Sequence, residues 1–437
     1  MSARAANDSR REFLKASSAA AATAGLAATF GALPAVHAQG SGAINVALIG
    51  CGGRGTAAAM NAMQADPDNR LTMMVDAFPD RVQQSRQSLT RQLGQQMRVT
   101  DDTALSGLDA YKRVMESDVK VVILTTPPHF RPAQLKAAID AGKHVFCEKP
   151  VAVDAPGVQS VLNTTEEARK KGLAIVSGLC WRYDSAVRET IKRIQDGAIG
   201  DIVAIQENYL TGTLWHRGRK PEWSEMEYQI RNWLYYTWLS GDHNVEQHIH
   251  SLDKSMWLMG DKPPLAATGL GGRQVRTGPE WGNIYDHHAV VYEWASGVRV
   301  FAFTRQMGGQ QIFNETDDII LGTKGQARIL KNEITGENPW KYPRAKKDAD
   351  KGMYDIEHDE LFASIKAGKP TNNGVYMSYS TMLAILGRMA TYTGQRITWD
   401  EAMKSTLDMT PKSYAMGPVE LPPGVLEVAM PGVTKLT

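Results

Sequence analysis

Two short stretches hold side chains that could move protons. The first is Glu148-Lys149-Pro150, which closes the run AGKHVFCEKP. A lysine fixed between an acid and a proline at the end of a strand is suited to exchange a proton with an oxygen placed against it. Taken alone, the same three residues read more readily as a surface lysine before a turn proline. The second stretch is GDHNVEQHIHSLD, Gly241 to Asp253. On one continuous helix Glu246, His250 and Asp253 share a face, and His248 points nearly opposite. His250 is the expected general base, because imidazole titrates near neutral pH. Glu246 could orient it or polarise a substrate, and Lys149 would hydrogen-bond the same substrate oxygen. His243, Glu246 and His250 also fall at i, i+3 and i+7, a spacing that could face one ion. The HExxH order is absent, and no metal is expected.

These groups need a scaffold, and the sequence upstream supplies one. Ala43 to Ile49 reads as a buried strand, followed at once by Gly50-Cys51-Gly52-Gly53-Arg54-Gly55 and a helical stretch from Thr56 to Gln64. Gly50 permits a tight turn, Gly52 lets backbone approach a pyrophosphate, and Gly55 allows close helix–strand packing. Gly53 and Arg54 belong to the same phosphate-facing loop, whose amides open a helix. A second strand, Leu71 to Val75, ends on Asp76, an acid that can accept from ribose hydroxyls and repels a 2′-phosphate. NAD is therefore expected over NADP. Further strands, Val119–Leu124, Lys143–Phe146 and Leu173–Leu179, alternate with helices Pro132–Ala141 and Ala155–Lys171. That alternation predicts a doubly wound parallel sheet of the Rossmann type.

From Ile202 the pattern changes. Ile202–Tyr209, His288–Trp294, Val298–Thr304 and Asp318–Leu321 read as strands of one large, open, mostly antiparallel sheet. The expected helices are Ser185–Gln195, about Glu246–Met259, Glu357–Lys366 and Met377–Tyr392. The fold class is thus α/β followed by α+β. The domains are residues 43–180 for the nucleotide, 181–420 for the substrate, and a tail at 421–437. Leu214 to Lys220 and Tyr228 to Trp238 interleave arginines with aromatics, a composition suited to a polyhydroxylated ligand or to a packed surface insert. Arg231 and Trp233 are candidates there, and Arg273 and His287 are weaker ones.

In this order the motifs resemble the Gfo/Idh/MocA oxidoreductases. In that family the EKP lysine stands beside the nicotinamide, which places Glu148 and Lys149 at the cofactor. A TP turn with a nearby histidine lines the ribose and nicotinamide; here the matching residues are Thr125, Thr126, Pro127 and His129. Arg131-Pro132 departs from the residues more often found next. Arg182 and Tyr183 match the entry into the second domain, near substrate. Most members carry Asp four residues before the histidine and Asp three after it; this chain has Glu246, His250 and Asp253. The resemblance implies hydride transfer between a carbinol of a carbohydrate, glycoside or cyclitol and a nicotinamide. Two outcomes stay open: a dehydrogenase or sugar–sugar oxidoreductase, and an NAD-dependent glycosidase working by oxidation, elimination, hydration and reduction. A non-catalytic sugar-binding or sensor protein is the alternative from another class.

Composition bounds the rest. The 437 residues are 43% hydrophobic and 22% charged, with a formal charge of +2, which gives no reason to expect nucleic acid as partner. Cys51, Cys147 and Cys180 are too few and scattered for a disulfide framework. Residues 9–15, SRREFLK, match a twin-arginine export signal, followed by an alanine-rich run and a cleavage site after Ala38. Residues 1–38 are therefore expected to be an address rather than structure or membrane anchor. A periplasmic protein, exported folded by the twin-arginine machinery with NAD already tightly held, follows as the expectation. The open sheet is the expected surface for a homo-oligomer.

Overall fold

The computed structural model describes residues 42–343 and 351–435. Residues 1–38, expected to be an export signal, lie outside the described residues. Six parallel strands form the first sheet: β1 (Asn45–Ile49), β2 (Arg70–Asp76), β3 (Ala104–Ser106), β4 (Val121–Leu124), β5 (His144–Cys147) and β6 (Ile175–Ser177). Their spatial order is β3-β2-β1-β4-β5-β6, so the chain reverses direction across the sheet between β1 and β4. In such sheets the crevice beyond the carboxyl ends at the reversal is where ligands bind.

Alternation along β1 explains the layering. Val46 and Leu48 face one side with Ala58, Ala62 and Met63 of the helix Gly53–Gln64; Ala47 and Ile49 face the other, with Leu135, Ala138 and Val158. Both faces are covered, which is why these strands read as unbroken apolar runs. Each fully buried leucine or isoleucine here contributes roughly 2 kcal/mol.

The second sheet has nine strands: β7 (Ile202–Thr211), β8 (Ala266–Gly272), β9 (His287–Glu293), β10 (Arg299–Gln306), β11 (Glu315–Gly322), β12 (Gly325–Arg328), β13 (Glu333–Gly336), β14 (Trp340–Lys341) and β15 (Ile397–Thr398). Their order is β14-β13-β12-β11-β7-β10-β9-β8-β15. Only the β7–β10 pair is parallel among the pairings described. Along β10, Val300, Ala302 and Thr304 are buried, whereas Phe301 and Phe303 on the opposite face are exposed.

The helix Gly374–Thr393 is buried on nearly every side and packs against both the helix Ala155–Lys171 and strand β8. It ties the two sheets together and ends at Gly394, whose left-handed conformation (φ +73°) terminates the helix. A second return crosses the same boundary, where the amide of Ile175 in β6 donates to the carbonyl of Thr371. No helix among the described residues is long and apolar enough to cross a membrane.

One expected helix is broken. The stretch read as about Glu246–Met259 forms two pieces, His243–Glu246 and Ile249–Leu258. Asp242, at φ +85°, starts the first piece and accepts from the amide of Asn244. Glu246 therefore belongs to a separate turn from His250 and Asp253, and the shared helical face does not exist in that form.

Candidate functional site

The glycine loop opens the site. Gly50 has φ +101°, and a Cβ there would stand 2.7 Å from the backbone of Thr125 and Thr126. A Cβ on Gly55 would lie 1.9 Å from the carbonyl oxygen of Gly50. At Gly52 and Gly53 nothing lies within 4 Å of an added Cβ, so the loop presents open backbone. The helix Gly53–Gln64 has neither a side-chain cap nor an acid in its first turn. Its leading amides are thus free of side-chain acceptors, and this cradle fits a pyrophosphate. Asp76 closes the β2 end. Its Oδ2 accepts from the amide of Cys51 (2.7 Å) and its Oδ1 from that of Phe78 (3.0 Å). Burial raises its pKa above the usual range, and those two amides offset part of the rise.

These residues line a cleft of about 360 Å³ that also holds Thr125, Thr126 and Pro127 from the end of β4. Its outer wall comes from the other half of the chain: Trp215, Arg217, Ile230, Arg231 and Trp233. The structure thus places Arg231 and Trp233 in the cleft that opens on the glycine loop and Asp76. Arg231 pairs with Asp80, on the helix that follows β2, at 2.8 Å.

Lys149 lies where β5 ends. Its Nζ donates to the main-chain oxygen of Glu246 at 2.5 Å and to Oε1 of Glu246 at 2.9 Å. The acid that could not share a helical face with His250 therefore holds the lysine across the boundary between the two halves. His250 follows in the next helix. Its pKa lies well below the ordinary value, first through burial and then through the charges of Lys149, Lys254 and Arg54. Its Nδ1 is buried and finds no hydrogen-bond partner among the described residues. A neutral imidazole beside a lysine is competent to accept a proton.

Two arginines position Lys149. Arg54 in the glycine loop donates to Glu148 Oε1 at 2.5 Å and to Glu357 Oε1 at 2.6 Å. Arg131 donates to the carbonyl of Pro150 at 2.5 Å. Burial works to raise the Glu148 pKa, but Arg54, Arg131 and Lys149 together hold it below the usual range. The carboxylate of Glu148 also accepts from the amide of Lys149 at 3.1 Å. Sequence reasoning missed Glu357, which lies more than 300 residues from its partner and follows no local motif.

Several expected site residues are used inside the fold. Arg182 and Asp253 are buried against each other, with Arg182 Nε 3.0 Å from both carboxylate oxygens of Asp253. Arg182 also meets Asp261, and Ser380 donates to Asp253 at 2.7 Å. Tyr183 donates to Asn373. These three are braces within the fold. Replacing Asp253 with alanine strands a buried guanidinium, so it should cost roughly 3 kcal/mol, read as a lowered urea midpoint. An unchanged midpoint would mean that Asp261 alone suffices.

His129 is buried, bonded to the Tyr414 hydroxyl at 2.7 Å and packed edge-on to Trp238. Burial pushes its pKa down to about 4. It supports the cleft wall from behind instead of lining it. His287 stands 2.8 Å from Asp286, whose other oxygen accepts the amides of Gln274, Val275 and Arg276. Arg273 donates to carbonyls of Arg276 and Gly282, so this region is a braced loop.

His243 turns toward Asp242 and His288, away from Glu246 and His250; ligand atoms of the three lie within 4.8 Å of one another. The Asp242 carboxylate already accepts from Asn244, Tyr285, Tyr392 and His288, and Arg388 and Arg276 stand near enough to feel its charge. That donor-rich, cationic surrounding satisfies the acid without an ion. All three cysteines are buried thiols; burial pushes Cys147 and Cys180 up to about 12 and Cys51 well above its usual value. None is a nucleophile at neutral pH.

Residues 44–177 match the GFO_IDH_MocA family, described as "Oxidoreductase family, NAD-binding Rossmann fold". The 2,7-anhydro-N-acetylneuraminate hydratase of Escherichia coli (strain K12) is 29% identical over 53% of this chain and 56% of its own length. The inositol 2-dehydrogenase of Rhizobium meliloti (strain 1021) is 24% identical over 58% of this chain and 66% of its own. The chain spans about half the length of the first of these curated relatives. In fold, a levoglucosan dehydrogenase solved with NADH and levoglucosan superposes with a TM-score of 0.62 at 18% identity, covering 82% of this chain and 99% of that one.

Proposed function

From its membership of the Gfo/Idh/MocA oxidoreductase family, with an NAD-binding Rossmann fold, we propose that this protein moves hydride between a ring carbinol of a carbohydrate, glycoside or cyclitol and NAD. The observation that carries this reading is the meeting of Lys149 with Glu246 at the end of β5, tied through Glu148 and Arg54 to an open phosphate cradle. The residues that would hold the cofactor are the loop Gly50–Gly55, Asp76 and Thr125–Pro127. Bound there, a nicotinamide ring supplies the acceptor and donor of hydride. Asp76 supports NAD over NADP, since a 2′-phosphate would meet a carboxylate.

The chain's own residues manage the proton. Oxidation breaks the carbinol C–H bond with its electron pair and frees the hydroxyl proton, which His250 takes. Lys149 hydrogen-bonds the same oxygen and stabilises its developing negative charge. Glu246 holds the lysine ammonium in place. In the reverse direction His250 returns the proton to the carbonyl oxygen.

The hydratase among the relatives favours a second outcome at the same site. Oxidation makes the neighbouring C–H acidic, so elimination, addition of water and return of hydride could follow without net redox change. Export through the twin-arginine route suits either redox-neutral version, because the periplasm supplies no obvious soluble nicotinamide pool. We further propose pairing of copies through the exposed sheet face around Phe301 and Phe303.

Turnover of cyclitols, aldoses and aryl glycosides by wild type and His250→Asn tests the assignment. The variant should lose roughly 10²- to 10⁴-fold in kcat. Because His250 lies well below its ordinary pKa, wild-type kcat/KM should stay level as pH falls through 6.5, the ordinary value. An acid limb at 6.5, or full activity in His250→Asn, would remove His250 from the chemistry.

A further inference from the structure

The outer wall of the cleft comes from residues 212–236, which leave β7 and run back over the first sheet. These residues meet the cleft at Asp76, Phe78, Arg81 and Leu108, the end that holds the ribose-binding acid. Two indole rings, Trp215 and Trp233, stand 6.3 Å apart there. The Arg217 guanidinium sits 5.2 Å from the Trp215 ring, and its buried Nε has no hydrogen-bond partner. Planar aromatic and guanidinium faces of this kind stack on a purine.

The segment is fastened at several points. Arg231 donates to both oxygens of Asp80, at 2.8 and 3.1 Å, and lies 3.9 Å over the ring of Phe78. Glu227 holds the same guanidinium at 2.8 Å. Asn232 exchanges two hydrogen bonds with the backbone of Arg217, and the Tyr235 hydroxyl reaches the carbonyls of Leu214 and Trp215. Burial, followed by the neighbouring charges of Arg81 and Arg231, lowers the pKa of Arg217. An anionic dinucleotide would relieve that crowding of cations.

We propose that residues 212–236 are a strap over the adenosine end of the cofactor, latched by the Arg231–Asp80 pair, which keeps the nucleotide resident through many turnovers. This rests on the nicotinamide reading above. It assigns retention to an internal segment of the second half, while the glycine loop supplies recognition. The strap spans both halves, so nucleotide release requires the latch to part while substrate exchange does not.

The dissociation rate of NADH from the purified full chain tests it, followed by nicotinamide fluorescence after dilution into excess unlabelled NAD. Asp80 does not line the cleft, and its side chain is 45% exposed, so Asp80→Asn should fold normally. It should release NADH roughly tenfold faster. Trp233→Ala should do so by a larger factor and should purify with less nucleotide. Wild-type release rates in both variants would overturn the strap and leave the cofactor assignment standing. Failure of the wild-type protein to bind any nicotinamide nucleotide would overturn both.

Discussion

Lys149→Ala should lower the rate of hydride transfer by roughly 10³-fold while nucleotide still binds. The lysine joins the end of β5 to the Glu246 turn, with Nζ 2.5 Å from a carbonyl and 2.9 Å from a carboxylate oxygen. Alanine removes the donor that would meet the substrate oxygen and leaves Glu246 without its cation. Lys149→Arg should not restore the rate, because a planar guanidinium cannot occupy the site of a compact ammonium. The phosphate cradle is built from backbone and from Asp76, so nucleotide affinity should change by less than about threefold. Single-turnover absorbance and equilibrium nucleotide binding, measured on the same preparation, separate the two effects. Wild-type turnover in Lys149→Ala would remove the lysine from the mechanism and revive the reading of a binding protein.

The second large effect is a loss of stability in mild acid. Burial holds His129, His243 and His358 down to about 4, and His248 and His250 lie well below their ordinary value. Folded, these rings stay neutral; unfolded, they take protons below roughly pH 6.5. Their contribution is complete above that pH and is lost as pH falls toward the folded values. Buried acids oppose this. Burial, with Asp318 nearby, raises Glu207 to about 8, and burial raises Glu357 as well, so both favour the fold as pH falls. Burial raises Asp76, Asp154 and Asp318 in the same sense as the glutamates, and the loss carried by the histidines falls between about 6.5 and 4.5. Urea midpoints at successive pH values should fall steadily over that window. A level or rising midpoint on acidification would contradict the buried neutral state of these rings.

Local patterns carried the first sheet. The strand, loop and helix from Ala43 to Gln64, the acid at Asp76, and the helices Ala155–Lys171 and Ser185–Gln195 stand where period and glycine placement put them. In these cases the forces act within a few residues. The site resisted where its contacts are distant. Arg231 reaches Asp80 across 151 positions, and Arg182 reaches Asp253 across 71. No periodicity announces such pairs, so the acid that each arginine meets could not be read from its neighbours in the chain. The broken helix has a tertiary cause as well: His248 is buried beside Glu207 of β7 and bonded to Asn244, which pins the backbone between the two pieces. That break leaves Glu246 in its own turn, where it pairs with Lys149.

The central claim is hydride transfer at a nicotinamide held beside Lys149 and His250. Its most direct test is the near-ultraviolet spectrum of the purified protein, mixed with cyclitols, sugars and aryl glycosides without added cofactor. The account predicts a rise in reduced-nicotinamide absorbance of no more than one equivalent per chain. It should stall for a dehydrogenase awaiting an acceptor, and decay with aglycone release in the redox-neutral case. No absorbance change with any substrate, together with no nicotinamide released on denaturation and no effect of added NAD, would contradict it.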